Sequence, residues 1–257
     1  MGDNMYFDYK GISLYYEKYG SGEENLVILP GWGDTRNTFN HLIRTLEDYY
    51  TIYIVDYPGF GNTKFPNYDM TIYDYADLIE EWLRFLNLEN STLLGHSFGG
   101  RIIITLTGYY QYNYDKIVLM NAAGIKPKKT IYQKLRAKTY KVLKTLIKIL
   151  PKTIREKLRE KLFNHFSSLD YRMLPDNMKK TFQNIVSEDL TTYLKNIKSN
   201  TLLLWGEKDT STPLTDGITM NKNILKSKLY IFKNIGHFVY LDNFQEALEI
   251  LVKFIES

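Results

Sequence analysis

The stretch Ser91-Thr-Leu-Leu-Gly-His-Ser97-Phe-Gly-Gly-Arg101, followed by Ile-Ile-Ile-Thr-Leu106, constrains this chain more than any other. An apolar, strand-forming run ends in Gly-x-Ser-x-Gly, and a helix-compatible run begins at once. A strand-to-helix turn this tight holds its serine strained, with the hydroxyl pushed above the end of a sheet. Gly95 and Gly99 spare the turn two side chains that would collide with the adjoining strand and helix. Five residues of this kind are a weak signal alone; their meaning depends on what the rest of the chain places around them.

On both sides of the elbow, strand-like runs alternate with helical ones. Residues Tyr6 to Tyr19 alternate around a Lys10-Gly11 turn and predict an antiparallel hairpin. Asn25 to Pro30 is a short buried strand ending in Gly31-Trp32-Gly33-Asp34, with a helix over Asn37 to Glu47. Tyr50 to Asp56 is the next strand, closed by the turn-rich Tyr57-Pro-Gly-Phe-Gly61. Thr71 caps a helix to Leu86, and the elbow helix is expected from Gly99 to Tyr110. Further strands are expected at Tyr114 to Met120, Asn200 to Gly206 and Leu229 to Lys233, with a last helix from Asn243.

Strands with continuous apolar runs, alternating with helices, predict an α/β fold whose mainly parallel sheet is covered on both faces. In such sheets ligands and chemistry gather at the carboxyl ends of the strands. Between Gly124 and Ser199 the rhythm breaks into helices expected at Thr130–Leu150, Pro151–Phe163, Pro175–Val186 and Asp189–Ile197. In the first of these, Ile131, Leu135, Val142, Leu146, Ile149 and Leu150 form an apolar stripe with lysines opposite. The expected organisation is a core of residues 1–124 and 200–257, with residues 125–199 as a helical cap over the strand ends.

A serine nucleophile at Ser97 needs a base, and the chain has four histidines. His41 falls inside a helix as a surface or packing residue, His165 lies in the insert, and the His96 side chain is expected to point away from the hydroxyl. His237 follows the last strand and is the candidate base. An imidazole in that role needs a carboxylate to hold its tautomer. Asp209, after the strand Leu202 to Trp205, is the candidate, with Glu207 and Asp216 as nearby alternatives. The loop after Met120 reads Asn121-Ala-Ala-Gly and offers no acid. Asp56 is expected to pin the Pro58–Gly61 loop. Backbone N–H groups of Phe98, just past the serine, and of Trp32 are candidates for an oxyanion hole.

With Ser97, Asp209 and His237 in this order, and with the Gly31-Trp-Gly and Asp56-x-Pro-Gly-Phe-Gly loops, the chain resembles the α/β-hydrolase fold superfamily along essentially its whole length. The likeness is to the capped branch that includes carboxylesterases, carbon–carbon bond hydrolases, prolyl iminopeptidases and cofactor-free haloperoxidases. It implies an eight-stranded, mostly parallel sheet flanked by helices, with an all-helical cap inserted after the sixth strand. It implies a serine hydrolase cleaving a small-to-medium acyl ester through an acyl-enzyme, without metal or cofactor. Pro30 stands where the family usually has histidine before the oxyanion glycine. His96 and Phe238 depart from the carbon–carbon hydrolases, which usually show asparagine and tryptophan there. A carbon–carbon hydrolase and a non-catalytic ligand-binding protein of the same fold are the alternatives.

Composition narrows the partners. With no cysteine among 257 residues, thiolate nucleophiles, thiolate metal sites and disulfides are excluded. No run of eighteen apolar residues is present and the N-terminus lacks a secretory core, so a cytoplasmic location without stable membrane insertion is expected. The net charge of +4 hides an asymmetry. Lys126 to Lys161 holds fourteen Lys and Arg against Glu156 and Glu160, a local +12, which leaves −8 for the remainder. The expected partner is a small-molecule acyl substrate, anionic if the basic cap steers it, with no nucleic acid and a monomer or homodimer as the assembly.

Overall fold

The computed structural model of the chain describes residues 3–126, 131–149, 151–166, 171–172 and 174–257. Strands β1 (Asp3–Tyr9) and β2 (Ile12–Tyr19) form the expected hairpin, turned at Lys10 and Gly11, both with positive φ. Then follow β3 (Glu24–Leu29), β4 (Tyr50–Asp56), β5 (Thr92–His96), β6 (Lys116–Met120), β7 (Asn200–Gly206) and β8 (Ser227–Phe232). They build one eight-stranded sheet in the order β1-β2-β4-β3-β5-β6-β7-β8. β2 pairs antiparallel with β1 and β4, and every pair from β4 to β8 is parallel.

Both faces of the sheet are buried, which is why its central strands read as unbroken apolar runs rather than as alternations. In β3, Leu26 and Ile28 pack with α1 (Arg36–Leu46) and the C-terminal helix. Val27 and Leu29 face the opposite layer, under α2 (Ile72–Phe85) and α3 (Phe98–Ile104). Helix α2 starts in a reciprocal capping box, Thr71 accepting from the Asp74 N–H while Asp74 accepts from the Thr71 N–H. Such a cap contributes about 1 kcal/mol.

The elbow helix is α-helical only to Ile104, short of the expected Tyr110, and Thr105–Tyr109 widens into an i→i+5 turn. Thr105 and Thr107 donate back to the carbonyls of Arg101 and Ile103 at 2.9 and 2.7 Å. Such back-bonding competes with the regular ladder and bends helices.

Between β6 and β7 the chain forms α4 (Ile131–Leu146), a 3₁₀ turn (Ile147–Ile149), α5 (Lys152–Phe166), α6 (Asp176–Ser187) and a second 3₁₀ turn (Thr191–Asn196). The expected helix ends at Thr130 and Leu150, and the side chains of Ile131, Leu135 and His165, lie outside the described residues. The helix expected over Asp189–Ile197 is instead the second 3₁₀ turn, opened by Asp189, whose carboxylate accepts from the Thr191 N–H at 3.1 Å. Helix α6 is tied to the sheet layer. Thr181 accepts from the buried Met70 N–H at 2.7 Å, and Tyr73 donates to Glu188 at 2.8 Å. Arg101 of the elbow helix donates to the Glu188 carbonyl at 2.8 Å.

After β7 comes α7 (Leu214–Asn223), which the sequence pattern did not predict. Gly217 and two threonines depress its helical propensity. Gly217 is there for packing: a Cβ would stand 2.7 Å from the Trp205 ring. The chain ends in the short α8 (Val239–Asp242) and in α9 (Phe244–Ile255).

Candidate active site

The parallel ladder continues one residue past the strands and lines up the candidate groups. The Ser97 N–H donates to the Met120 carbonyl at 3.1 Å, and the Asn121 N–H donates to the Leu204 carbonyl at 2.9 Å. Ser97 takes φ 48° and ψ −106°, a conformation that costs a non-glycine residue free energy and needs surrounding structure to hold it. That structure is glycine-lined. A Cβ on Gly99 would overlap the Leu29 carbonyl oxygen, and one on Gly95 would lie 2.6 Å from the Gly100 nitrogen. The Gly99 N–H donates to the Pro30 carbonyl at 2.9 Å, locking the elbow against the Gly31–Asp34 loop.

Two strands along, Asp209 Oδ2 and His237 Nδ1 lie 2.8 Å apart. The Asp209 side chain is fully buried and that of His237 is mostly so. Oδ1 of Asp209 accepts from the N–H groups of Ser211 and Thr212 at 2.8 and 3.0 Å. Oδ2 also accepts from Asn121 Nδ2 at 2.6 Å and stands 2.7 Å from the Thr212 hydroxyl. Burial alone would raise the Asp209 pKa, but the bonds from His237 and Thr212 outweigh it and lower it to about 2. The carboxylate therefore stays ionised and orients the imidazole with Nδ1 as the donor.

His96, wholly buried, places its Nε2 3.0 Å from the His237 carbonyl oxygen. A carbonyl only accepts, so Nε2 carries the proton. Burial lowers the His96 pKa, opposed by Asp34, whose Oδ2 is 3.4 Å from Nδ1. The residue before the serine thus holds the backbone of the candidate base. Among the described residues, no hydrogen bond joins the Ser97 hydroxyl to the His237 ring.

Trp32 lies in a turn closed by the Asp34 N–H on the Gly31 carbonyl at 3.1 Å. Its ring meets the edge of Phe98, centroids 5.2 Å apart, so the two candidate oxyanion residues are neighbours. Phe98 opens α3, where the first N–H groups have no intrahelical acceptor. Phe60, Tyr75 and Phe182 also contact the Trp32 ring, making an aromatic wall that reaches from the sheet loops to α6.

The other candidates fall elsewhere. Glu207 is exposed and accepts from the Asn234 N–H at 3.0 Å, bracing the loop that leads to His237. Asp216 lies in the first turn of α7, and burial together with the Asp209 charge raises its pKa to about 6. Asp56 accepts from the Asn62 N–H at 2.9 Å and pins the loop after β4. His41 is exposed, with its ring against Phe244.

Sequence reasoning passed over Asn121 because the loop after β6 holds no acid. The structure gives that position a fully buried asparagine at φ 44°, donating to Asp209. Asparagine tolerates this left-handed backbone better than most residues. An asparagine at the carboxyl end of a buried strand, one strand from the candidate acid, is the signal that would have found it. Among the described residues, no group of three or more histidine, aspartate or glutamate side chains converges as a metal site would.

Residues 24–174 match the family model described as the alpha/beta hydrolase fold. An uncharacterized hydrolase of Bacillus subtilis, YugF, is 26% identical over 274 residues, covering 97% of each chain. A 2-hydroxy-6-oxononadienedioate/2-hydroxy-6-oxononatrienedioate hydrolase of Escherichia coli is 22% identical across 96% of this chain and 92% of its own. Among solved structures, an esterase from Exiguobacterium antarcticum superposes with a TM-score of 0.76 at 27% identity, covering 100% of both chains.

Proposed function

The chain belongs to the α/β-hydrolase fold family, and on that premise we propose that it is a serine hydrolase cleaving small-to-medium acyl esters through an acyl-enzyme. The observation that carries this is the pairing of a left-handed Ser97 between β5 and α3 with a 2.8 Å Asp209–His237 contact on neighbouring strand ends. Asp209, ionised, fixes the imidazole with its proton on Nδ1, which leaves Nε2 to take the Ser97 proton. The serine oxygen attacks the acyl carbonyl, and the N–H groups of Trp32 and Phe98 hold the oxyanion. His237 then returns the proton to the leaving alcohol. Water activated by the same imidazole attacks the acyl-enzyme, the acid leaves, and Ser97 is restored. Each oxyanion donor of this kind contributes about 10²–10³ in kcat.

Residues 125–199 act as the cap in this scheme, with Phe182 extending the aromatic wall toward the acyl group. A panel of p-nitrophenyl esters graded by acyl length tests the substrate class. Turnover that peaks at short or medium chains and is abolished in Ser97→Ala supports esterase chemistry. The Escherichia coli relative favours a second reading, hydrolysis of a carbon–carbon bond in a vinylogous diketone. Turnover of such a diketone with inert esters would select that chemistry instead.

A further inference from the structure

Helix α4 and the 3₁₀ turn after it carry two apolar faces. Tyr140, Leu143 and Ile147, at helical spacing, are half-buried and form the more covered one. Val142, Leu146 and Ile149 form another stripe, and they are 50%, 55% and 83% exposed. Ile149 falls three residues after Leu146 as the helix tightens, which stacks it over that side chain. Ile154, in the first turn of α5, adds a fourth aliphatic side chain, 49% exposed.

The surroundings of this stripe are basic. Lys138, one turn before Val142 on the stripe's own side, is exposed, as are Lys148, beside Ile149, and Lys157, Arg159 and Lys161 of α5, while Lys144 lies on the other side of the helix over the Tyr140 ring. They belong to the stretch of fourteen cations and two acids. An aliphatic stripe flanked by lysines is the pattern of a helix that lies in a membrane interface, its apolar side chains among the acyl chains and its ammonium groups at anionic headgroups. A lysine stem is long enough to lie along neighbouring apolar side chains while its charge stays at the headgroups. A second copy of the chain would bring two faces of the same strong positive charge together, so charge complementarity selects an anionic surface.

We infer that the outward face of Val142, Leu146, Ile149 and Ile154, with its lysine flank, docks the protein peripherally on an anionic lipid surface. No described helix is long and apolar enough to cross a membrane, so the attachment is interfacial and reversible. It sets the expected cap against the bilayer and leaves the ester chemistry of Ser97 untouched, so docking and hydrolysis stand or fall separately.

The test is co-sedimentation of the full chain with phosphatidylserine/phosphatidylcholine vesicles and with phosphatidylcholine vesicles alone. Binding is expected to the first and not to the second, and it should weaken as salt rises. The combined variant Val142→Ser, Leu146→Ser, Ile149→Ser keeps every charge and should bind roughly tenfold or more weaker. Lys138→Ala with Lys148→Ala should cost about fivefold per lysine. Hydrolysis of a short, water-dissolved ester at the wild-type rate would report that both variants are folded. Absence of co-sedimentation at low salt overturns the inference, and so does undiminished binding by the serine variant. Concentration-dependent dimerisation that the serine variant abolishes would assign the face to a second copy and equally overturn it.

Discussion

Asp209 collects more donors than its imidazole partner requires, and the surplus is informative at the level of single residues. Asn121 brings a bond of 2.6 Å from a neighbouring strand, so the acid is braced by the sheet as well as by its own loop. A hydrogen bond to a charged group contributes about 1.5–3 kcal/mol. Asn121→Ala is therefore expected to lower kcat/KM for ester hydrolysis about 10–100-fold, measured beside an unfolding curve that shows the fold intact.

Asp216 gives a signed pH prediction. Its folded pKa of about 6 lies above its ordinary 3.8, because burial and the nearby Asp209 charge disfavour ionisation. Ionised Asp216 thus costs stability in full above pH 6, and the cost disappears as pH falls through 6 toward 3.8. Asp216→Asn should raise Tm at neutral and alkaline pH and lose that advantage below pH 4, in parallel thermal melts. An advantage independent of pH would contradict the assignment.

Among elements, the elbow is the most constrained. Its left-handed serine persists because β3, β5 and α3 approach too closely for side chains at the glycines. Gly99→Ala would drive a methyl into the Leu29 carbonyl and is expected to cost about 1–3 kcal/mol, read from the urea midpoint. Ser97, Asp209 and His237 are legible in the sequence because each closely follows an apolar run, and the sheet then aligns the ends of those runs. The partners that position them are not legible. Asn121, Thr212 and His96 act through neighbours on other strands or loops, and their roles exist only once β5 to β8 stand side by side. Helix α7 escapes prediction for a similar reason: Gly217 is a poor helix former that the Trp205 ring demands.

Across the whole molecule, charge and chemistry are segregated. The sheet and its covering helices carry the candidate triad and the negative balance. The stretch from Lys126 to Lys161 carries +12, and it is α6, further along the chain, that is anchored to the sheet layer. The apolar stripe of α4 was expected from its spacing, but which way it faces is a property of the fold. Its described members are exposed, and Tyr140, Leu143 and Ile147, outside that stripe, are the more buried set.

The central claim is that Ser97 is the nucleophile and carries the acyl group. A rapid-quench experiment with a p-nitrophenyl ester, followed by peptide mass mapping, addresses it directly. The expected result is an acyl adduct on the Ser97 peptide that forms and decays at rates matching turnover, with neither adduct nor turnover in Ser97→Ala. Turnover of Ser97→Ala at the wild-type rate, or an adduct on another residue, would contradict it.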